Sequence, residues 1–274
     1  MTIRRYVKPE ILRREIRKGG FTGTTAGQCP GYVQANLVGL PPKYAGDFLT
    51  FCEKNRAPCP LLEVTRTGVS VPEILAKEAD LLTDLPRYDI FVDGVHAETV
   101  TSIKGRDIGG MVFFLLGCSF TFERALIERG VEIKNVKEGK NVSMFRTSIQ
   151  LEPSGPFSGE MVVSMRPIHY TRVIETVLVT ARYPLAHGAP LHVGAPHLIG
   201  ISNLESPDFG DPVSVEGDEI PLFWACGVTP RGVLEKARIP LAVMHHPGHM
   251  FVTDLRDGDI QDRESLANPT NPEL

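Results

Sequence analysis

The stretch Met111-Val-Phe-Phe-Leu-Leu-Gly-Cys-Ser-Phe-Thr-Phe-Glu123 constrains the fold more than any other. An apolar run stops at Gly117 and restarts after two small residues that can act as nucleophiles, Cys118 and Ser119. The pattern predicts helix, break, helix. Asp107 caps the first helix, Gly117 takes the left-handed conformation that ends it, and Ser119 caps a second helix from about Phe120 to Arg129. Unpaired amides at the start of that second helix, with the helix dipole behind them, would make an anion site beside Cys118 and Ser119. The plain alternative is a buried helix pair with a Gly-Cys-Ser joint and no chemistry.

The rest of the chain is cut into short elements by 26 Gly and 22 Pro, which cluster in small groups and form no linker. A solvated helix is predicted over Pro9–Lys18, then a turn-rich loop from Phe21 to Gly31 that lacks the Gly-Lys-Ser/Thr of a P-loop. Tyr32–Val38 is apolar but interrupted by Gln34 and Asn36, which need partners if buried. Pro41–Asn55 reads as helix and Leu61–Thr65 as a short strand. Asp93-Gly94 between two alternating runs, 88–92 and 95–100, is a hairpin signal. Met144–Leu151 and Glu160–Arg166 read as a second strand pair, followed by a helix over Ile168–Arg182 with Val173, Val177 and Leu178 facing inward. A short strand lies near Pro190–Gly194. Pro221–Cys226, a helix capped by Thr229, and Pro240–Met244 read as strand, helix, strand. That spacing favours a parallel crossover, with ligands beyond the strand ends at 226–229 and 245–249. The polar tail from Asp257 to Leu274 is expected to fray.

These elements amount to an α/β fold. A mixed or parallel sheet lobe (1–115 and 192–274) carries an inserted, smaller two-layer α+β domain (116–191). The length of 274 residues accommodates this plan, and 42% hydrophobic with 23% charged residues is ordinary for a globular protein. A net charge of −4 argues against a nucleic-acid partner. No apolar run approaches the roughly 18 residues of a membrane helix. Five cysteines, odd in number and without a C-x-x-C pair, suit reduced thiols and a cytoplasmic location. No G-x-G-x-x-G opens a strand–helix unit, so no dinucleotide is expected.

Chemistry can come from three groups. His192, His197, His245, His246 and His249 crowd the C-terminal third, but the spacing is not a zincin's, and a proton carrier or a plain hydrogen-bonded loop residue is favoured over a metal site. Arg66, Arg146 and Arg166 stand on or just beyond strands, where a guanidinium fork can pair with a carboxylate; for any one of them a surface arginine lying over the sheet is the favoured plain alternative. Cys118, Ser119 and Glu123 can supply a nucleophile and an acid, since a cysteine at a helix N-terminus has a lowered pKa; equally, a buried Cys is a small hydrophobe, the commoner case.

Eight blocks in order carry a resemblance: Gly31–Leu37, Cys59–Leu62, Gly117–Glu123, Asn141–Thr147, Gly155–Gly159, Ser164–Pro167, Phe223–Pro230 and Pro247–Asp254. Together they resemble the D-glutamate cyclase family of bacterial hydro-lyases, over about residues 9–255. The resemblance implies cyclisation of D-glutamate to 5-oxo-D-proline with loss of water. It also implies an α/β architecture with a second two-layer domain. It assigns no catalytic residues. The chain departs from the family pattern at Ala195, where Asp is usual, and at His246, where Ala is usual.

Lactam formation without ATP makes three demands. A base must free the amine; His245 or His249 can serve. The oxyanion must be held, by the amides of 118–120 together with Arg166 or Arg146. The departing oxygen must be protonated, for which Glu123 or a second His is a candidate. Arg66, Gln34 and Asn36 complete the set expected to bind substrate. No cofactor and no metal are expected. The partner is a small-molecule carboxylate, with homo-oligomerisation left open. Two alternatives remain at this point: a metal-dependent hydrolase or lyase built on His192, His197, His245 and His249, and a non-catalytic binder of acidic amino acids. Replacing Arg166 or His249 by Ala is expected to lower turnover far more than stability.

Overall fold

The computed structural model describes residues 6–108, 110–264 and 266. Six α-helices are found among them: α1 (Pro9–Arg17), α2 (Pro42–Lys54), α3 (Phe120–Ile127), α4 (Lys134–Glu138), α5 (Val173–Ala181) and α6 (Thr229–Ala237). The strands are β1 (Tyr32–Leu40), β2 (Leu61–Val64), β3 (Tyr88–Val92), β4 (Val95–Val100), β5 (Val112–Gly117), β6 (Ser143–Gln150), β7 (Glu160–His169), β8 (His192–Val193), β9 (Glu219–Ala225), β10 (Leu241–His245) and β11 (Phe251–Arg256).

Seven strands form the larger sheet in the order β2-β5-β1-β10-β3-β4, with β11 also paired to β1; the smaller sheet runs β6-β7-β9-β8. The mixture of helices and two sheets is the α/β class expected. Every named strand pairing is antiparallel, however. The parallel crossover from 221–226 to 240–244 does not form, because β9 and β10 belong to different sheets. Helix α6 joins the two sheets and is not a crossover within one.

The opening stretch also differs from its expectation. Val112–Gly117 is a strand, not a helix, and all six residues are buried. A six-residue apolar run has no period that separates the two states; its place between β2 and β1 decides the matter. Only the second half is helical, as α3. The hairpin at Asp93-Gly94 is as expected, with both residues left-handed (φ 50° and 78°) as a two-residue turn requires. Helix α5 is shorter than predicted, because β7 continues to His169 and a 3-10 turn at Tyr170–Arg172 precedes it. Leu178 faces solvent, not the core. Of the C-terminal tail, Asp257–Asp259 forms a 3-10 turn and 267–274 lie outside the described residues.

Alternation along the central strands builds two cores. Val33, Ala35, Leu37, Phe113, Leu115, Val243 and Phe251 face one side, where Phe122 of α3, Val179 of α5 and Trp224 of the smaller sheet join them. Val38, Leu40, Phe114, Leu116 and Met244 face the other, covered by Phe48 and Phe51 of α2 and Val233 and Leu234 of α6. Each fully buried Phe there contributes about 1.5–3 kcal/mol.

Candidate active site

The site forms where the central strand loses its neighbour. β10 and β11 lie in line along one side of β1: Val38 faces Met244, and Ala35 faces Phe251. Between those pairs β1 supplies only Asn36 and Leu37, while the other side supplies 245–250. The surplus bulges out as His246-Pro-Gly-His-Met250. Proline has no N–H for a ladder, so the sequence itself stops the pairing. The ring of His245 takes over at the break. Its Nδ1 lies 3.3 Å from both the nitrogen and the oxygen of Leu37. Its Nε2 is buried without a hydrogen-bond partner among the described residues. The loop between α1 and β1 clamps the bulge from outside. Thr25 N and Thr24 Oγ1 each donate to the Gly248 carbonyl at 2.9 Å, and Met250 N donates to Thr25 Oγ1 at 3.0 Å.

The facing wall is made by the ends of β5 and β9. Asn36 Nδ2 donates to the Gly117 carbonyl at 2.5 Å, so this predicted binding residue is a strut between strands. Both neighbouring glycines are required by contact. A Cβ on Gly227 would sit 2.0 Å from Asn36 Nδ2, and one on Gly117 would sit 1.6 Å from the Leu185 carbonyl oxygen. His187 bonds the Ala57 carbonyl at 2.7 Å and the Gly117 backbone as well. Beyond Gly117, Cys118 and Phe120 pack with Cys226 and Met250 in one small apolar cluster. The bulge, α3 and the end of β9 therefore share a floor.

Beside that floor lies a buried ion pair. Arg166 is 0% exposed. Its Nε and Nη2 both donate to Glu123 Oε1, at 3.1 and 2.6 Å; Nη2 also donates to Ser119 Oγ at 3.0 Å and Nη1 to Ser164 Oγ at 3.3 Å. The guanidinium lies over the Phe122 and Trp224 rings, 5.3 and 5.4 Å from their centroids. Burial raises the Glu123 carboxyl above the usual carboxylate range, and the charge and bonds of Arg166 only partly reverse this. All hydrogen bonds to Glu123 fall on Oε1, so Oε2 has none among the described residues.

Two expectations about this corner change. The helix amides are not free: Thr121 N and Phe122 N donate to the Cys118 and Ser119 carbonyls, and Phe120 N bonds the Cys118 thiol. Nor does Ser119 cap α3 through its side chain; its oxygen accepts from Arg166 instead. The thiols are not activated either. Burial pushes Cys118 well above the ordinary thiol range and Cys226 up to about 11, outweighing any helix effect.

The other predicted residues are distributed as follows. Gln34 donates to the Thr25 and Gln28 carbonyls, and its Oε1 is buried without a partner among the described residues. Arg66 is exposed and paired with Glu73 on the surface. Arg146 pairs with Glu235 at 3.1 Å and Asp208 at 4.0 Å, and covers the Phe209 ring. His192 bonds the Ala195 carbonyl next to the smaller sheet. His192 and His197 do not join His245 and His249, since no three His, Cys, Asp or Glu among the described residues converge as metal ligands.

Asp89 was not among the residues expected at the site. It is fully buried, yet Arg231, His246 at 2.9 Å and Thr99 at 2.6 Å all bond its carboxylate. Burial alone would raise its pKa; the bonds from His246 and Thr99 and the nearby positive charge hold it well below the usual range. The His246 ring in turn meets His249 edge-on at 5.0 Å. His246, the departure noted above, is thus fixed on one side and packed against a candidate base on the other.

Burial pushes His187, His245 and His249 each down from 6.5 to about 4. Between those values the unfolded chain binds three protons that the folded chain does not. Stability therefore falls as pH falls through that window. Glu123, whose raised pKa acts in the opposite sense, is one group against three. Urea midpoints at about pH 7.5 and about pH 5 test this; an unchanged or higher midpoint at the lower pH contradicts it.

The profile of the D-glutamate cyclase family matches residues 112–254, a span that holds α3, Arg166, the Cys226 turn and the bulge. A protein of Rubrobacter xylanophilus is 54% identical over 249 residues, 91% of this chain and 96% of its own. The chain belongs to the D-glutamate cyclase family. A relative from Bacillus velezensis is 50% identical over 95% of this chain and 97% of its own, and one from Stutzerimonas stutzeri 49% over 95% and 98%. All three carry the name "putative hydro-lyase". Membership makes the chain an enzyme of the carbon–oxygen lyase class. Among solved structures, a nitrogen repressor-like protein of Methanococcus jannaschii aligns over 90% of this chain and 98% of its own, at 11% identity and a TM-score of 0.38, a likeness too slight to bear on fold or function. No helix among the described residues is long and apolar enough to cross a membrane.

Proposed function

We infer that this enzyme cyclises D-glutamate to 5-oxo-D-proline with release of water. The observation that carries the reading is the Arg166 clamp, which holds an acid and a hydroxyl from one turn of α3 side by side. In the reaction the amine nitrogen bonds to the carbon of the γ-carboxyl group, the δ-carbon, and one of that carboxyl's oxygens leaves. The ammonium gives up two protons, and the departing oxygen takes both to become water. Attack within one molecule removes much of the entropic barrier.

The residues divide this work. Ser119 Oγ already accepts from Arg166, so its own proton is available to the developing oxyanion, polarised by the charge behind it. Glu123 has a raised pKa and one unbonded oxygen, which suits it to carry a proton to the departing oxygen. His249, held neutral by burial, accepts a proton from the amine. Cys118 and Cys226 provide apolar walls that exclude water.

Incubation with D- and L-glutamate followed by chiral analysis of 5-oxoproline tests the reading. Product from neither enantiomer removes it. Ser119→Ala is expected to lower kcat by roughly 10²- to 10³-fold, as the loss of one oxyanion donor does, and to cost about 1.5–3 kcal/mol of stability, because buried Arg166 loses an acceptor. A normal kcat in that variant would exclude Ser119 from the chemistry.

A further inference from the structure

The arginines near the site are nearly all neutralised. Arg166 is bound by Glu123, Arg231 by Asp89 and Glu235, and Arg146 by Glu235 and Asp208. Arg87 is different. It stands exposed just ahead of β3 and has no carboxylate partner among the described residues. Its Nε donates to the Thr22 carbonyl at 3.1 Å. Its own carbonyl accepts from His246 N at 3.0 Å, which ties it to the start of the bulge.

His249, whose Nδ1 lies 2.9 Å from the Pro247 carbonyl, is near enough to feel both the Thr22 carbonyl and the Arg87 charge. Arg87 and His249 thus stand by the same backbone oxygen. The Nε bond fixes the plane of the guanidinium and leaves the two terminal nitrogens free, the arrangement that takes a carboxylate through two parallel bonds.

We propose that Arg87 anchors the α-carboxylate of the substrate. This rests on the lactam-forming reading above and deepens it. In an α-amino acid the amine and the α-carboxylate share one carbon, so the group that deprotonates the amine and the group that holds the α-carboxylate must be neighbours. Arg87 and His249 are the neighbouring pair. The γ-carboxyl then extends toward Ser119 and Glu123, across the floor of Cys118, Cys226 and Met250. The α-carboxylate is unchanged in the reaction, so Arg87 contributes to binding more than to the chemical step.

The test compares D-glutamate with its α-carboxamide in the wild type, Arg87→Gln and Arg87→Lys. Arg87→Gln is expected to raise KM for D-glutamate about 10- to 100-fold, the weight of hydrogen bonds to a charged group, with kcat within a few-fold. It should also abolish the wild-type preference for carboxylate over carboxamide, and Arg87→Lys should restore part of that preference. If Arg87 only pinned the Thr22 loop, both compounds would suffer equally, and that result overturns the proposal. Titration calorimetry with D-glutamate and with 5-oxo-D-proline separates this outcome from a failure of the reaction itself. Should the wild type bind these acids without turnover, the lyase reading fails while weaker binding to Arg87→Gln still upholds the anchor. Equal binding to both proteins, or none to the wild type, overturns it.

Discussion

Arg166→Ala destabilises the protein by about 3–5 kcal/mol, because it leaves Glu123 buried without its counter-charge. The sequence suggested that this substitution would cost turnover far more than stability. Complete burial changes that expectation, since a residue whose donors are held by Glu123, Ser119 and Ser164 is part of the frame. The loss should appear in urea as a lower midpoint with an unchanged slope. Removing both halves, as Arg166→Met with Glu123→Leu, should recover much of the stability while remaining inactive, because well-packed apolar groups often replace a buried pair at little cost. A double variant no more stable than the single one would show that the pair is not a closed unit.

Gly117→Ala is the second large effect. The added methyl would lie 1.6 Å from the Leu185 carbonyl oxygen and 2.8 Å from its carbon, both backbone atoms. The 184–187 turn must shift, or β5 must. Overpacking of this kind costs about 1–3 kcal/mol and sometimes more. Here it also moves Cys118 and Ser119, which follow directly. The variant should lose activity beyond detection even at temperatures where circular dichroism shows it folded. Wild-type turnover would mean that the position of Ser119 is not critical.

How much of this was legible beforehand depends on the range over which each feature is decided. The Asp93-Gly94 hairpin, α1, α2 and the β6–β7 pair rest on local signals, a turn dipeptide or a period, and they appear where expected. Val112–Gly117 carries no period, so its state depends on the two strands it lies between, β1 and β2, which begin far earlier in the chain at Tyr32 and Leu61. The antiparallel order could not be read from the spacing of β9 and β10, because spacing does not say which sheet each strand joins. At the site, Arg166, Ser119, Glu123 and His249 were visible as residue types. Their partners were not. The Arg166–Glu123 contact spans 43 residues and the His246–Asp89 contact 157. Arg87 drew no attention because nothing nearby in the chain marks an arginine that lacks a counter-charge.

The interrupted strand beside β1 has a consequence for how the chain can vary. Both of its halves are paired to the same neighbour, so the number of residues from His245 to Met250 sets the phase of β11 relative to β10. Adding or deleting one residue there would turn Phe251 and Thr253 from the interior and present their neighbours in their place. Substitutions within the bulge leave this phase intact, whereas insertions and deletions do not.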